Sequence, residues 1–224
     1  MEEKIFDNGI ISNGEEVTEK IIVEDVSQVK EKPLFDAVKR CLDFFFALFA
    51  LLLLWLPMLV IGVVVRTESP GKAIYKQERL GLKGRRFTIY KFRSMVEDAE
   101  LEGARWAQED DPRTTKVGAF LRKTRLDELP QLFNILKGDM SFVGPRPERE
   151  IFYNEFDKYI VGFRQRLMIK PGLTGLAQIE GGYDLLPEEK IVYDIEYIKK
   201  RSILFDIRIV FSTVKIVFNH DGAR

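Results

Sequence analysis

Residues 44–65 carry no charged side chain, and that run limits what the rest of the chain can do. At roughly 1.5 Å per helical residue it reaches about 33 Å, enough to cross the hydrocarbon core of a bilayer. A membrane helix is therefore the starting expectation. Pro57 interrupts the run; it has no N–H to donate and leaves the Leu53 carbonyl without a partner, so a sharp bend is predicted there. The flanks give no orientation. Lys30, Lys32, Lys39 and Arg40 precede the run and Arg66, Lys72, Lys76 and Arg79 follow it, so the positive-inside rule has nothing to choose between. Two courses stay open on these grounds. One is a kinked span; the other is a re-entrant hairpin with both ends on the cytoplasmic side and Lys39, Arg40 and Asp43 at the headgroup level.

Ahead of the run, residues 1–33 are polar and acid-rich, with Asn8-Gly9 and Asn13-Gly14 as turn signals and a short apolar patch at 21–23. They read as a loosely ordered extension with room for a hairpin and no site. So long a charged stretch before the first apolar run is not the pattern of a signal peptide.

Composition then removes whole classes of chemistry. The single cysteine, Cys41, excludes an internal disulfide framework, and the single histidine, His220, lies near the C-terminus. Zinc sites built on Cys and His, HExxH helices and Ser-His-Asp arrangements are thereby disfavoured. A formal net charge of zero argues against nucleic acid as a partner. What is left is carboxylates, lysines, arginines and an oxygen-liganded metal, for which magnesium suits best because few carboxylates and substrate phosphates hold it. There is no GxxxxGK[ST] and no GxGxxG.

Past the turn signal Ser69-Pro70-Gly71 the pattern changes to strands, with 73–79 and 86–95 flanking Gly81-Leu82-Lys83-Gly84 as a β-hairpin. Alternation puts Phe87, Ile89, Lys91 and Arg93 on one face. With Arg79 and Arg85 nearby, Lys91 and Arg93 make a diphosphate cradle; the plainer alternative is a basic hairpin resting on anionic headgroups. Residues 96–115 read as a helix ending in a loop at Asp110-Asp111-Pro112-Arg113, and 116–123 as a short helix that presents Arg122.

The densest stretch is 124–147. Asp127 and Glu128 stand side by side where a helix over 129–136 begins, with Pro130 tolerated in its first turn. Acids there sit near the positive helix end, where a phosphate would also dock. Taken alone, the pair is more often a helix-stabilising feature than a site. Lys137-Gly138-Asp139 closes the helix and Pro145-Arg146-Pro147 follows. Downstream, 148–169 reads as a helix with an aromatic core stripe, 171–182 as Gly-rich and extended, 187–201 as a charged helix. Residues 203–218 form an amphipathic helix with Leu204, Ile207, Phe211, Val214 and Phe218 along one side.

Several of these stretches, in this order, resemble the small monotopic phosphoglycosyl transferases, bacterial sugar transferases that load a phosphosugar onto a polyprenyl (undecaprenyl) phosphate. They are Lys39-Arg40 with Asp43 before the Pro57-broken run, Gln77-Glu78-Arg79 with Gly81, residues 90–95, residues 126–132, residues 138–141, residues 144–147, and residues 170–175 with Ala177-Gln178. The resemblance covers about residues 37–218. It implies an α+β, mostly helical monotopic membrane protein: a re-entrant helix-break-helix, a small β-hairpin and amphipathic interfacial helices. It also implies Asp127 as nucleophile and metal ligand, Glu128 as its partner in a catalytic dyad, and Lys91, Arg122 and Arg146 as basic residues at the site, to which the cradle reading adds Arg93 as a substrate-binding residue. Pro145-Arg146-Pro147 is implied to hold a uridine nucleotide and Pro57 to be the membrane break. Leu56 stands where relatives often have Ser, so the break rests on Pro57 alone.

The implied division is a polar extension (1–36), a re-entrant membrane helix (37–66), a cytosolic catalytic domain (67–201), and an amphipathic C-terminal helix and tail (202–224). The implied reaction takes a sugar-1-phosphate from a UDP-sugar to polyprenyl phosphate with release of UMP, at the cytoplasmic face of the bacterial inner membrane, with Mg²⁺. Membrane lipid is a further partner. A catalytically silent membrane scaffold of a polysaccharide-assembly complex is the alternative from another class. The sugar, self-association as a homo-oligomer and the role of the extension stay open.

Overall fold

The computed structural model describes residues 7–9, 20–99, 111–181 and 185–219. Two short strands, β1 (Asp7–Gly9) and β2 (Lys20–Ile22), pair antiparallel ahead of the apolar run. The run itself lies in one helix, α1 (Pro33–Glu68), with Pro33 in its first turn, where a missing N–H leaves no bond unmade. The bend predicted at Pro57 does not divide it: α1 is continuous through that residue, because proline removes only one of the many hydrogen bonds along the ladder.

One stripe of α1 faces protein. Asp43, Ala47 and Val65 are buried, and Ala50, Leu51, Leu54, Met58 and Ile61 pack between them at spacings of three and four. The opposite stripe, Phe45, Phe49, Leu52, Leu56, Leu59 and Val63, is more than half exposed throughout. So much uncovered apolar surface on a helix this long is the mark of contact with lipid.

The hairpin predicted after α1 is present. Strands β3 (Ile74–Leu80) and β4 (Arg86–Phe92) pair antiparallel from Ile74 opposite Phe92 to Leu80 opposite Arg86. Then come α2 (Lys116–Lys123), α3 (Gln131–Lys137) and β5 (Ser141–Val143). Helix α2 begins where expected because the Thr115 hydroxyl accepts the Gly118 N–H at 2.9 Å. The helix expected from 96 onward falls mostly on residues outside those described; 97–99 are a turn.

The continuous helix expected over 148–169 is not what forms. Helix α4 (Glu150–Phe156) is followed by a short strand, β6 (Ile160–Val161), and a 3₁₀ segment, Phe163–Met168. Gly162 at φ 94 turns the chain out of helical geometry, and Ile160 and Val161 pair in parallel with Ile21 and Ile22 of β2. The expected aromatic stripe is nonetheless core: Tyr153 and Phe163 are buried and Phe156 and Tyr159 pack on them.

Strand β7 (Gly172–Thr174) lies parallel to β5, and α5 (Leu176–Glu180) takes up part of the stretch expected to be extended. Helices α6 (Pro187–Lys200) and α7 (Ile203–Asn219) follow as the periodicity predicts. On α7, Leu204, Ile207, Phe211 and Val214 are exposed, whereas Ile209 is fully buried. A loose extension is expected up to residue 33, but its stretch 20–29 is docked. Val23 and Val26 are buried in the same core as Tyr153 and Ile195, and the Val26 N–H reaches Gln165 Oε1 at 2.6 Å.

Candidate active site

Asp127 and Glu128 occupy a 3₁₀ turn, Leu126–Glu128, between α2 and α3. Arg125, just before it, sits at φ 57 and ψ 15, a left-handed conformation that costs a non-glycine residue roughly 1 kcal/mol and is tolerated where the surroundings hold it. Helix α3 has only seven residues. The dipole behind the acids is short, so the phosphate dock expected at its start gives way to side-chain cations.

The two neighbouring carboxylates have opposite surroundings, although each is 7% exposed. Glu128 is fully engaged: Lys91 Nζ donates to Oε1 at 2.7 Å, Arg146 Nη2 donates to Oε1 at 2.6 Å, and Arg146 Nη1 reaches Oε2 at 3.5 Å. Asp127 has Lys91 Nζ at 4.0 Å and, among the described residues, accepts no hydrogen bond. Burial pushes the Asp127 carboxyl up to about 6, more than Lys91 draws it down. Burial pushes Glu128 the same way, but Arg146 and Lys91 outweigh it and hold that carboxyl well below the usual range. One acid is a fixed anion that aims two cations. The other keeps its lone pairs for a ligand.

Both acids line a cavity of about 570 Å³, together with Lys91, Arg122, Arg146, Arg79, Arg166 and Lys190. Arg122 is braced by Ser94 Oγ, which accepts from Nε at 2.9 Å. The Pro145-Arg146-Pro147 turn is held by backbone: the Gly144 N–H reaches Thr174 O and the Gly172 N–H reaches Pro145 O, both at 2.9 Å. A Cβ on Gly144 would meet Lys170 O at 2.4 Å, so glycine is required for this close approach. Asp127, Glu128, Lys91, Arg122 and Arg146 thus converge as the sequence reading expects.

Arg93 does not. It is 7% exposed and its guanidinium donates to the carbonyls of Val65, Ser69 and Pro70. Strand β4 ends at Phe92, and Arg93 just beyond it caps the last turn of α1. Lys39, Arg40 and Asp43 are likewise not free at a wet interface. Lys39 pairs with Asp206, Arg40 donates to Ile135 O and Leu136 O at 2.8 Å, and Asp43 Oδ1 accepts the Phe142 N–H at 3.1 Å.

Among the described residues no group of three or more Asp, Glu, His or Cys side chains gathers as a metal site. Magnesium does not need one, since it binds through one or two carboxylates plus substrate phosphates and water. The open Asp127 carboxylate fits that mode and the engaged Glu128 does not. Arg166 and Asp194, an ion pair behind the Pro-Arg-Pro turn, have no signal in the sequence. They are 28 positions apart in segments read as unrelated helices, and nothing local marks a buried charge.

The sequence model of the bacterial sugar transferase family matches residues 34–220. An Aeromonas hydrophila protein named UDP-N-acetylgalactosamine-undecaprenyl-phosphate N-acetylgalactosaminephosphotransferase is 43% identical over 86% of this chain and 46% of its own length. A Xanthomonas campestris UDP-glucose:undecaprenyl-phosphate glucose-1-phosphate transferase is 40% identical over 98% of this chain and 47% of its own. A Salmonella typhimurium undecaprenyl-phosphate galactose phosphotransferase is 44% identical over 70% of this chain and 36% of its own. The chain therefore spans less than half the length of these three relatives. Their names carry three different sugars.

Proposed function

This chain belongs to the bacterial sugar transferase family, and from that membership and the geometry of its acidic turn we propose that it transfers a sugar-1-phosphate from a UDP-sugar to polyprenyl (undecaprenyl) phosphate. The observation that carries the proposal is the contrast within the dyad: a cation-saturated Glu128 beside an Asp127 carboxylate that lines the cavity and, among the described residues, accepts no hydrogen bond.

A carboxylate nucleophile divides a phosphate-to-phosphate exchange into two displacements. An Asp127 oxygen attacks the sugar-bearing phosphorus of the donor, a P–O bond forms, and the bond to the bridging oxygen breaks with its electron pair leaving on UMP. An oxygen of polyprenyl phosphate then attacks the same phosphorus and returns the carboxylate. Lys91, Arg122 and Arg146 surround the phosphates as their charge develops. Glu128 keeps Lys91 and Arg146 aimed. Pro145 and Pro147 stiffen the turn that presents Arg146 toward the nucleotide. Mg²⁺, held by Asp127 and the donor phosphates, would supply further charge neutralisation there.

For membrane placement we assign a re-entrant, monotopic course on the cytoplasmic face of the inner membrane, with both ends of α1 on one side. Both ends of α1 are fastened to one domain. Arg201 pairs with Asp36 at 2.6 Å near the start, and at the end Arg93 holds the Val65 and Ser69 carbonyls while the Val117 N–H reaches Glu68 at 2.9 Å. A straight crossing would carry that charged domain into the bilayer. Cysteines introduced at Lys32 and Lys72 should both label from the cytoplasmic side; labelling from opposite sides contradicts the re-entrant course.

The reaction is tested by incubating the protein with a panel of UDP-sugars, Mg²⁺ and polyprenyl phosphate. UMP is the expected product and the preferred donor identifies the sugar. UDP as product would replace this reading with ordinary glycosyl transfer.

A further inference from the structure

Arg166 and Asp194 form the most deeply buried ion pair described, with both side chains 2% exposed and Nη2 2.7 Å from Oδ2. Placing two charges there costs several kcal/mol of desolvation, which mutual attraction offsets only when hydrogen bonding is complete. It is not complete: among the described residues Arg166 Nε has no hydrogen-bonding partner. An apolar pair of similar size would fill the space without that cost.

What an apolar pair could not do is hold the Pro-Arg-Pro turn. Arg166 Nη2 donates to the Arg146 carbonyl at 3.0 Å, and Arg146 is the residue whose fork grips Glu128. One residue further on, Arg79 Nη1 donates to Pro147 O at 3.2 Å, so two successive carbonyls of the turn are each held by an arginine from a different segment. The Arg166 guanidinium is itself confined by the Phe163 ring, at 5.0 Å, and the Tyr153 ring, at 5.9 Å. Its chain neighbour Gln165 is pinned by the docked stretch 20–29, accepting the Val26 N–H and donating to Glu24 O at 3.1 Å.

We propose that Arg166, backed by Asp194, is a positioning residue: by fixing the Arg146 backbone it sets the aim of the Arg146 fork at Glu128 and at the donor diphosphate. The inference rests on the transfer reaction proposed above.

The test compares the wild-type full chain in lipid nanodiscs with Arg166→Lys and with the double variant Arg166→Met, Asp194→Leu, following thermal unfolding, UMP release and calorimetric binding of UMP. The double variant should unfold at or above the wild-type temperature. Its kcat/KM for the UDP-sugar should nonetheless fall about 10²-fold, the scale expected for a misplaced binding group. Its KM for polyprenyl phosphate should stay within about twofold. Arg166→Lys, which keeps the charge beside Asp194 without the fork, should fold and lose about tenfold for the same reason. A double variant that both folds and turns over like wild type would overturn the proposal. If the double variant fails to fold, a folded Arg166→Lys with wild-type donor kcat/KM overturns it equally. Should wild type release no UMP at all, the transfer reaction fails instead. UMP binding then decides the positioning role: weaker binding by Arg166→Lys supports it and unchanged binding rejects it.

Discussion

Two clusters of charge lie along this molecule, and they are built to opposite rules. At the root of α1, Lys39 pairs with Asp206, Tyr197 donates to Asp206 at 2.7 Å, Arg201 pairs with Asp36, and Lys32 donates to the Arg201 carbonyl at 2.9 Å. Asp206 and Asp36 each have a cation there, and the result is a joint between α1 and helices α6 and α7. At the dyad the cations crowd onto Glu128 and leave Asp127 with a 4.0 Å neighbour. Saturated ion pairs hold a structure together; the acid left out of them at the dyad also lines the cavity and is open to a ligand. The difference teaches that burial of a carboxylate says little about its role until its partners are counted.

The sharpest way to break this contrast is to change the acid left out. Asp127→Asn should lower UMP release by about 10³-fold or more while leaving the melting temperature unchanged or higher, because a carboxyl whose ionisation burial opposes is removed. Asp206→Asn should do the reverse. It strands Lys39, costs about 3 kcal/mol of stability as expected for a broken buried pair, and leaves turnover per folded molecule near wild type, read by chemical denaturation alongside UMP release.

The pH dependence sharpens the comparison within the dyad itself. The proposed attack requires an ionised Asp127, so with its carboxyl pushed up to about 6 single-turnover UMP release should fall about tenfold per pH unit below that value and level off above it. For stability the signs oppose. The raised Asp127 favours the fold at low pH, and that contribution is lost as pH rises through about 6. The depressed Glu128 favours the fold above its ordinary value and is lost as pH falls. Asp194, also pushed up to about 6 by burial, adds to the Asp127 trend, so the Asp127 share is the difference between the wild-type and Asp127→Asn stability curves.

The smallest effect separates site from scaffold. Arg93→Lys should cost about 1–2 kcal/mol, by leaving carbonyls at the end of α1 short of donors, and should leave the donor KM within about twofold. A tenfold rise in donor KM would return Arg93 to the diphosphate cradle.

How far the sequence could be read follows from the range of the forces involved. The hairpin, α2, α6, α7 and the acidic turn rest on neighbours within a few residues, and their patterns were visible. Lys91 was legible by alternation; the hold of the Arg93 guanidinium on the end of α1 was not, because those carbonyls lie 23 to 28 positions away in the chain. The break in 148–169 was hidden because it depends on pairing Ile160 and Val161 with residues near 21. The docking of 20–29 was hidden by the same long-range contact. The Arg166 and Asp194 pair was hidden for a related reason: a charged residue on a helical face looks solvated until another segment covers it.

The account turns on whether the Asp127 carboxyl becomes esterified with the phosphosugar. Protein incubated with donor labelled on the sugar-bearing phosphate, without acceptor, then quenched in acid and digested, should carry the label on the peptide containing Asp127 and lose it when polyprenyl phosphate is added before the quench. Label found on another residue, or UMP released with no label retained by the protein, would contradict it.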